Sequence, residues 1–183
     1  MNLVGKNSKQ GFTIVELLIV IVVIGILAAI TIVSYNGVQE KANNATRVSE
    51  AEQVTKILAI YKAQNGNYPA LPGGASNVCI GEGFADLNAD GVGDCWDANK
   101  ATGASSAHQD ATFNAALKTV ATLPIGNRTP IVSGTYQRLG PVFVLVGGVS
   151  YYVHYWLQGS TCPMGTVTWS DAVTVRCSIL LDS

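Results

Sequence analysis

An α+β fold is predicted: a long N-terminal helix, apolar at its front and amphipathic behind it, packed on an antiparallel β-sheet head. Three observations predict it. An apolar run occupies Phe12–Val33, helical periodicity continues from there to about Gln64, and the C-terminal third alternates β-branched and aromatic segments with turns. The chain has 183 residues, of which 48% are hydrophobic and only 13% charged, and the apolar excess is concentrated at the N-terminus. The formal net charge is −1 and no block of Lys and Arg follows the start, so composition gives no support for a grip on nucleic-acid backbone and leaves nucleic acid an open partner. Two histidines, His108 and His154, far apart and in dissimilar contexts, are a thin stock for proton shuttling or zinc ligation.

The first element follows a short polar start, MNLVGKNSKQG, that carries Lys6 and Lys9. In FTIVELLIVIVVIGILAAITIV only Thr13, Glu16 and Thr31 are polar. As a helix this run spans about 33 Å, enough for the roughly 30 Å hydrocarbon core of a bilayer. It is too long for an ordinary signal-peptide core and lacks a small-x-small cleavage site after it, so it is expected to be retained as a membrane span. Lysines before it and the bulk of the chain after it predict the N-terminus inside and the folded part outside. Glu16 does not belong in such a run. A carboxylate at mid-bilayer costs about 2.5–3.5 kcal/mol even on the lenient insertion scale, so it either snorkels to the headgroups or meets a cationic partner.

Gly11, Phe12 and Glu16, set in KQG followed by FTIVELLIVIVVIGILAAI, closely resemble the class III signal of type IV pilins and type II secretion pseudopilins. The resemblance implies a membrane peptidase that cuts after Gly11 and methylates the new amino terminus, Phe12. It also implies that Glu16, fifth in the mature chain, pairs with the terminal amine of a neighbouring subunit during assembly. The physical logic stands beside it: a buried carboxylate is tolerable when a buried ammonium meets it and strongly unfavourable alone, so the pair enforces register. The expected divisions are a removed leader over 1–11, a transmembrane and assembly helix over 12–33, an amphipathic stem over 34–65 and a head over 66–183.

The stem carries Val38, Ala42, Ala45, Val48, Val54, Leu58 and Tyr61 at mostly three- and four-residue steps, with Glu40, Asn44, Arg47 and Glu50 expected on the opposite, polar side. Glu52 and Lys56 add an i, i+4 pair, and Asn65-Gly66 makes a stop. A helix from Phe12 to about Gln64 would measure about 80 Å. Its apolar front avoids water only in lipid or against copies of itself. Gly25 and Tyr35-Asn36-Gly37 are its weak points, each a candidate kink, with close helix packing the alternative at Gly25.

From Leu71 to about Thr112 the composition is that of a loop. Within it Asp86, Asn88, Asp90, Gly91, Val92 and Asp94 fit the calcium-loop pattern D-x-N-x-D-G, with side chains at the first, third, fifth and ninth places and the Val92 carbonyl at the seventh. Asp97 falls at the twelfth, where a bidentate Glu is usual. Five acids and no base between Glu82 and Asp97 would repel one another without a cation, which favours bound Ca²⁺ over a merely solvated acidic turn. The four cysteines, Cys79, Cys95, Cys162 and Cys177, match neither zinc nor C-x-x-C spacings, and in an exported chain they suggest two disulfides. Three connectivities are open, of which nearest-neighbour pairing is expected. Cys162 with Cys177 also resembles the disulfide-closed C-terminal loop of many pilins.

Ala111 to Leu123 has Phe113, Leu117 and Val120 at helical spacing and reads as a short helix on the sheet. Segments near Pro130–Thr135, Pro141–Val146, Val149–Leu157, Gly165–Trp169 and Ala172–Leu180 read as four or five antiparallel strands. The run Tyr151, Tyr152, His154, Tyr155 and Trp156 reads as a strand with one buried side and one half-exposed side rather than a binding face. No nucleophile with a base beside it and no phosphate-cradling loop emerges, so no enzyme is expected. The expected role is a filament subunit whose partners are copies of itself, the prepilin peptidase and methyltransferase, an assembly platform and, before assembly, the cytoplasmic membrane. The filament would then be an extracellular pilus serving adhesion, motility or DNA uptake. A periplasmic pseudopilin of a type II secretion system, and a monomeric membrane-tethered calcium-dependent binding module, are the alternatives.

Overall fold

A computed structural model describes residues 11–99, 101–125 and 129–182, with the side chains of 31–36 left out. The leader with Lys6 and Lys9, and the side chains of Thr31-Ile32-Val33 and Tyr35-Asn36, thus lie outside the described residues. The chain divides into two compact units, Met1–Glu40 and Lys41–Ser183. Helix α1 (Ile14–Asn65) contributes to both and is assigned without a break at Gly25 or Gly37.

In the first unit every described side chain from 11 to 30 and from 37 to 40 is exposed, Ile, Leu and Val included. Among the described residues no helix is long and apolar enough to cross a membrane. The sequence run that continues to Val33 passes into the residues whose side chains are not described.

In the second unit the later part of α1 lies on a five-stranded antiparallel sheet, in the order β1 (Asn77–Cys79), β6 (Val142–Val146), β7 (Ser150–Gln158), β9 (Thr174–Asp182), β8 (Thr166–Ser170). Two small pairs, β2 (Asp94–Trp96) with β3 (Ala107–His108) and β4 (Ile131–Ser133) with β5 (Tyr136–Arg138), complete the strands. A short α2 (Ala111–Lys118) starts where the Asp110 carboxylate accepts the Phe113 N–H at 2.7 Å.

The middle of the sheet is buried on both faces, while β8 at its edge is exposed throughout. Val153, Tyr155 and Leu157 of β7 point to a core built with Ala51, Val54 and Leu58 of α1, Phe113 and Leu117 of α2, and Phe143 of β6. Trp156, from the alternate face, joins Cys79, Cys95, Ala107, Ile131, Leu139 and Val142 in a second core beneath the small strand pairs. The aromatic run is therefore a doubly covered central strand, where one half-exposed side was expected. His154 is part of this interior. Its Nδ1 lies 2.8 Å from Ser178 Oγ, and burial, followed by the Arg176 charge, lowers its pKa to about 4, so it is a neutral core histidine.

Two expectations are corrected. The buried stripe of α1 runs through Arg47, Glu50, Ala51, Val54, Ile57 and Leu58, whereas Val38, Ala42 and Ala45 are exposed. Arg47, placed by periodicity on the polar side, is buried because its guanidinium donates to the Leu139 carbonyl at 2.5 Å and to the Thr129 carbonyl. Desolvation brings its pKa down to about 10, and the Glu50 charge opposes that shift. The strand census also differs. The segment near 130–135 forms the small β4–β5 hairpin, and the fifth strand of the main sheet is β1, within the stretch read as loop. Three residues between turns are too few to show an alternation.

Helix α1 ends as the Asn65-Gly66 stop predicts, with the Gly66 N–H donating to the Lys62 carbonyl at 2.8 Å. The expected helix to Leu123 stops at Lys118, ahead of the β-branched Thr119-Val120 and of Pro124.

Candidate functional site

The N-terminal motif is built from four residues. Gly11 and Phe12 precede α1 and are exposed, Phe12 by 84%. Thr13 is the N-cap. Its Oγ1 accepts the Glu16 N–H at 3.2 Å, and the Glu16 carboxylate accepts the Thr13 backbone N–H at 2.8 Å and its hydroxyl at 2.7 Å. This is a reciprocal capping box, T-x-x-E, which satisfies donors that the first helical turn leaves open. The carboxylate thus has a second occupation that the sequence analysis missed, although the S/T-x-x-E spacing would have revealed it.

The acidic loop is pinned at both ends. Cys79 and Cys95 form one disulfide, with Cα atoms 5.8 Å apart, and Cys162 and Cys177 form the other, at 5.5 Å. The first joins β1 to β2, and the Gly93 that leads into β2 passes so close to Phe84 that a Cβ there would meet its carbonyl oxygen at 2.6 Å. Inside the loop the Asp86 carboxylate accepts the backbone N–H groups of Ala89, Asp90 and Gly91. Asn88 Oδ1 accepts the Asp90 N–H, Asp90 Oδ1 accepts the Val92 N–H, and Asp94 Oδ2 accepts those of Leu87 and Asn88. Gly91 takes the sharp turn at φ +91°.

The structure does not gather all the sequence-selected ligands. Asp97 accepts from Arg138 Nε at 2.5 Å, and Arg138 also reaches Asp171 at 3.5 Å and lies over the Trp169 ring at 4.6 Å. The loop carboxylates meet a residue from outside the motif instead. His108 Nδ1 stands 3.1 Å from Asp94 Oδ1 and 3.4 Å from Asp90 Oδ2. These three ligand atoms lie within 4.8 Å of one another. Asp94 and His108 face each other across the β2–β3 register, a proximity that only strand pairing creates. Hydrogen bonds from the Val92 backbone and then the Asn88 amide hold the Asp90 carboxyl below the ordinary carboxylate range.

Residues 6–32 match the family described as the prokaryotic N-terminal methylation motif. The chain is 36% identical over 69 residues to the type II secretion system core protein G of Aeromonas hydrophila, covering 38% of this chain and 48% of that one. The Escherichia coli protein of the same description is 33% identical over 72 residues, covering 39% and 50%. The chain therefore spans about half the length of these curated relatives. A fimbrial protein of Dichelobacter nodosus is 31% identical over 156 residues, covering 85% of this chain and 86% of that one. No solved structure matches the chain.

Proposed function

The chain belongs to the type IV pilin and pseudopilin family, and on that premise we propose that it is a structural subunit of a type IV pilus-like filament, not an enzyme. In this reading it is made as a single-pass membrane precursor, cut after Gly11, methylated at Phe12 by a prepilin peptidase, and passed by an assembly platform into a polymer of its own kind. The observation that carries the reading is the front of α1. Its apolar side chains from Phe12 to Ile30 are all exposed, inside the segment that matches the methylation motif. An apolar surface of that extent needs a cover, which a bilayer supplies before assembly and neighbouring helices supply after it.

Glu16 links the two states. A carboxylate among apolar side chains is stabilised when the Phe12 ammonium of a neighbouring subunit meets it. The capping box gives the same carboxylate a local duty, so the test separates charge from cap. Glu16→Gln keeps an acceptor for the Thr13 N–H and removes the charge, whereas Glu16→Ala removes both. Both variants are expected to be cut after Gly11 and yet to remain in the membrane fraction of sheared cells. A Glu16→Gln protein that enters filaments like wild type would overturn the pairing role.

Likeness to the fimbrial protein through 85% of the chain, head included, supports the extracellular pilus over the periplasmic pseudopilus. The secretion reading draws its support from the G-type relatives, whose likeness is confined to 38–39% of the chain. Immunogold labelling decides between them: filaments that label outside the cell favour the pilus, and label confined to the envelope favours the pseudopilus. We also read the acidic loop as a divalent-cation site of the head. Calcium, the ion that the loop spacing predicts, would take oxygen from Asp86, Asn88, Asp90, Val92 and Asp94.

A further inference from the structure

We propose that Asp90, Asp94 and His108 form a three-residue site for a divalent cation of the zinc class, one that accepts an imidazole nitrogen together with carboxylate oxygen. The inference rests on the reading of the loop as a cation site and changes both its ligand set and its ion. The first support is the geometry. Separations of 3.1 Å and 3.4 Å from His108 Nδ1 to the two carboxylate oxygens are close to the edges, about 3.3 Å, of a tetrahedron with metal–ligand bonds of about 2.0 Å.

The second support is independent of the acidic cluster. Asp94 is fully buried, and its Oδ1 has no hydrogen-bond partner, although its Oδ2 accepts two backbone N–H groups. His108 Nδ1 is likewise buried and makes no hydrogen bond of good geometry, and its 3.1 Å approach to Asp94 Oδ1 is an ion pair only when the ring is protonated. When Nδ1 carries no proton, two atoms with lone pairs, one on a buried carboxylate and one on an imidazole, face the same point. A metal ion satisfies both, and an unsatisfied buried carboxylate oxygen is otherwise costly.

The remaining loop oxygens are committed elsewhere. Both oxygens of Asp86, Oδ1 of Asn88 and Oδ1 of Asp90 hold loop N–H groups, and Asp97 is held by Arg138. The mixed nitrogen and oxygen set suits zinc and its neighbours better than calcium, which prefers six to eight oxygens. The Asp90 and His108 side chains are each about 40% exposed, which leaves room for water in a fourth position. The site is also preorganised, since its two closest ligands sit on the paired strands β2 and β3, and the Cys79–Cys95 disulfide ties β2 to β1.

The test uses the full-length protein in detergent micelles. Calorimetric titration with Zn²⁺, and separately with Ca²⁺, is performed on wild type and on His108→Gln. A long-range ¹H–¹⁵N spectrum of the wild type with one equivalent of Zn²⁺ gives a readout that needs no variant, because the chain has only two histidines. Zn²⁺ is expected to bind with 1:1 stoichiometry and to shift the His108 ring at Nδ1 while leaving His154 unmoved. His108→Gln is expected to weaken Zn²⁺ binding by at least about tenfold. Calcium binding that is indifferent to His108→Gln, with no Zn²⁺-induced shift at His108, would overturn this ligand set and leave the loop a cation site. Binding of neither ion would overturn both.

Discussion

Arg47 carries a charge into the core of the second unit because two backbone carbonyls and the Glu50 charge receive it. Arg47→Ala would remove both hydrogen bonds and the charge beside Glu50, and is expected to cost about 3–5 kcal/mol in chemical denaturation. Arg47→Lys recovers only part of this, since an ammonium cannot span two carbonyls as a planar guanidinium does. His154 sets a pH dependence of definite sign. Its folded pKa, about 4, lies below the unfolded value, so the unfolded chain binds more protons between pH 6.5 and 4. Stability that is complete above pH 6.5 is therefore lost as pH falls through that window, by up to about 3 kcal/mol. Denaturant midpoints measured against pH should show this slope, and His154→Gln should flatten it. Single residues also mark where sequence reading stops. Glu16 stands out because a charge inside an apolar run is visible without a fold. His108 does not, because its meeting with Asp94 is a product of cross-strand register.

At the scale of elements, what could be read from the sequence followed the range of the interactions. Helix α1 and its stop at Asn65-Gly66 were legible because their signals are consecutive residues. The main strands were legible as β-branched and aromatic runs, and β1 was not, since three residues carry no period. The expected apolar face holds at Val48, Val54, Leu58 and Tyr61 and fails at Ala42, Ala45, Arg47 and Glu50. Arg47 belongs to the buried stripe through carbonyl partners far away in sequence, which no helical wheel contains. The Cys79–Cys95 disulfide fastens the weakly signalled β1 and β2, and Cys162–Cys177 ties a loop to β9. Each closes a short loop, with cysteines 16 and 15 residues apart, and is expected to contribute about 3 kcal/mol. Replacing Cys79 and Cys95 together by Ser should lower the denaturation midpoint accordingly. It should also raise amide exchange in β1 and β2 before it does so in β7 and β9, which lie inside the sheet.

For the whole molecule, the two units present opposite solutions to apolar burial. Residues 41–182 contain both cores, and among the described residues none of the core residues precedes Arg47. A chain that begins at Lys41 is therefore expected to remain soluble without detergent and to unfold cooperatively with both disulfides formed, as circular dichroism would show. The apolar front of α1 has no such internal cover, which is why the account assigns it to lipid and then to other copies. That claim is tested most directly by the intact mass of the protein sheared from the surface of wild-type cells in its native host. The account predicts a filament species that begins at Phe12 and carries one added methyl group. A full-length chain that keeps residues 1–11 and stays in the membrane fraction, with its processing machinery present, would contradict it.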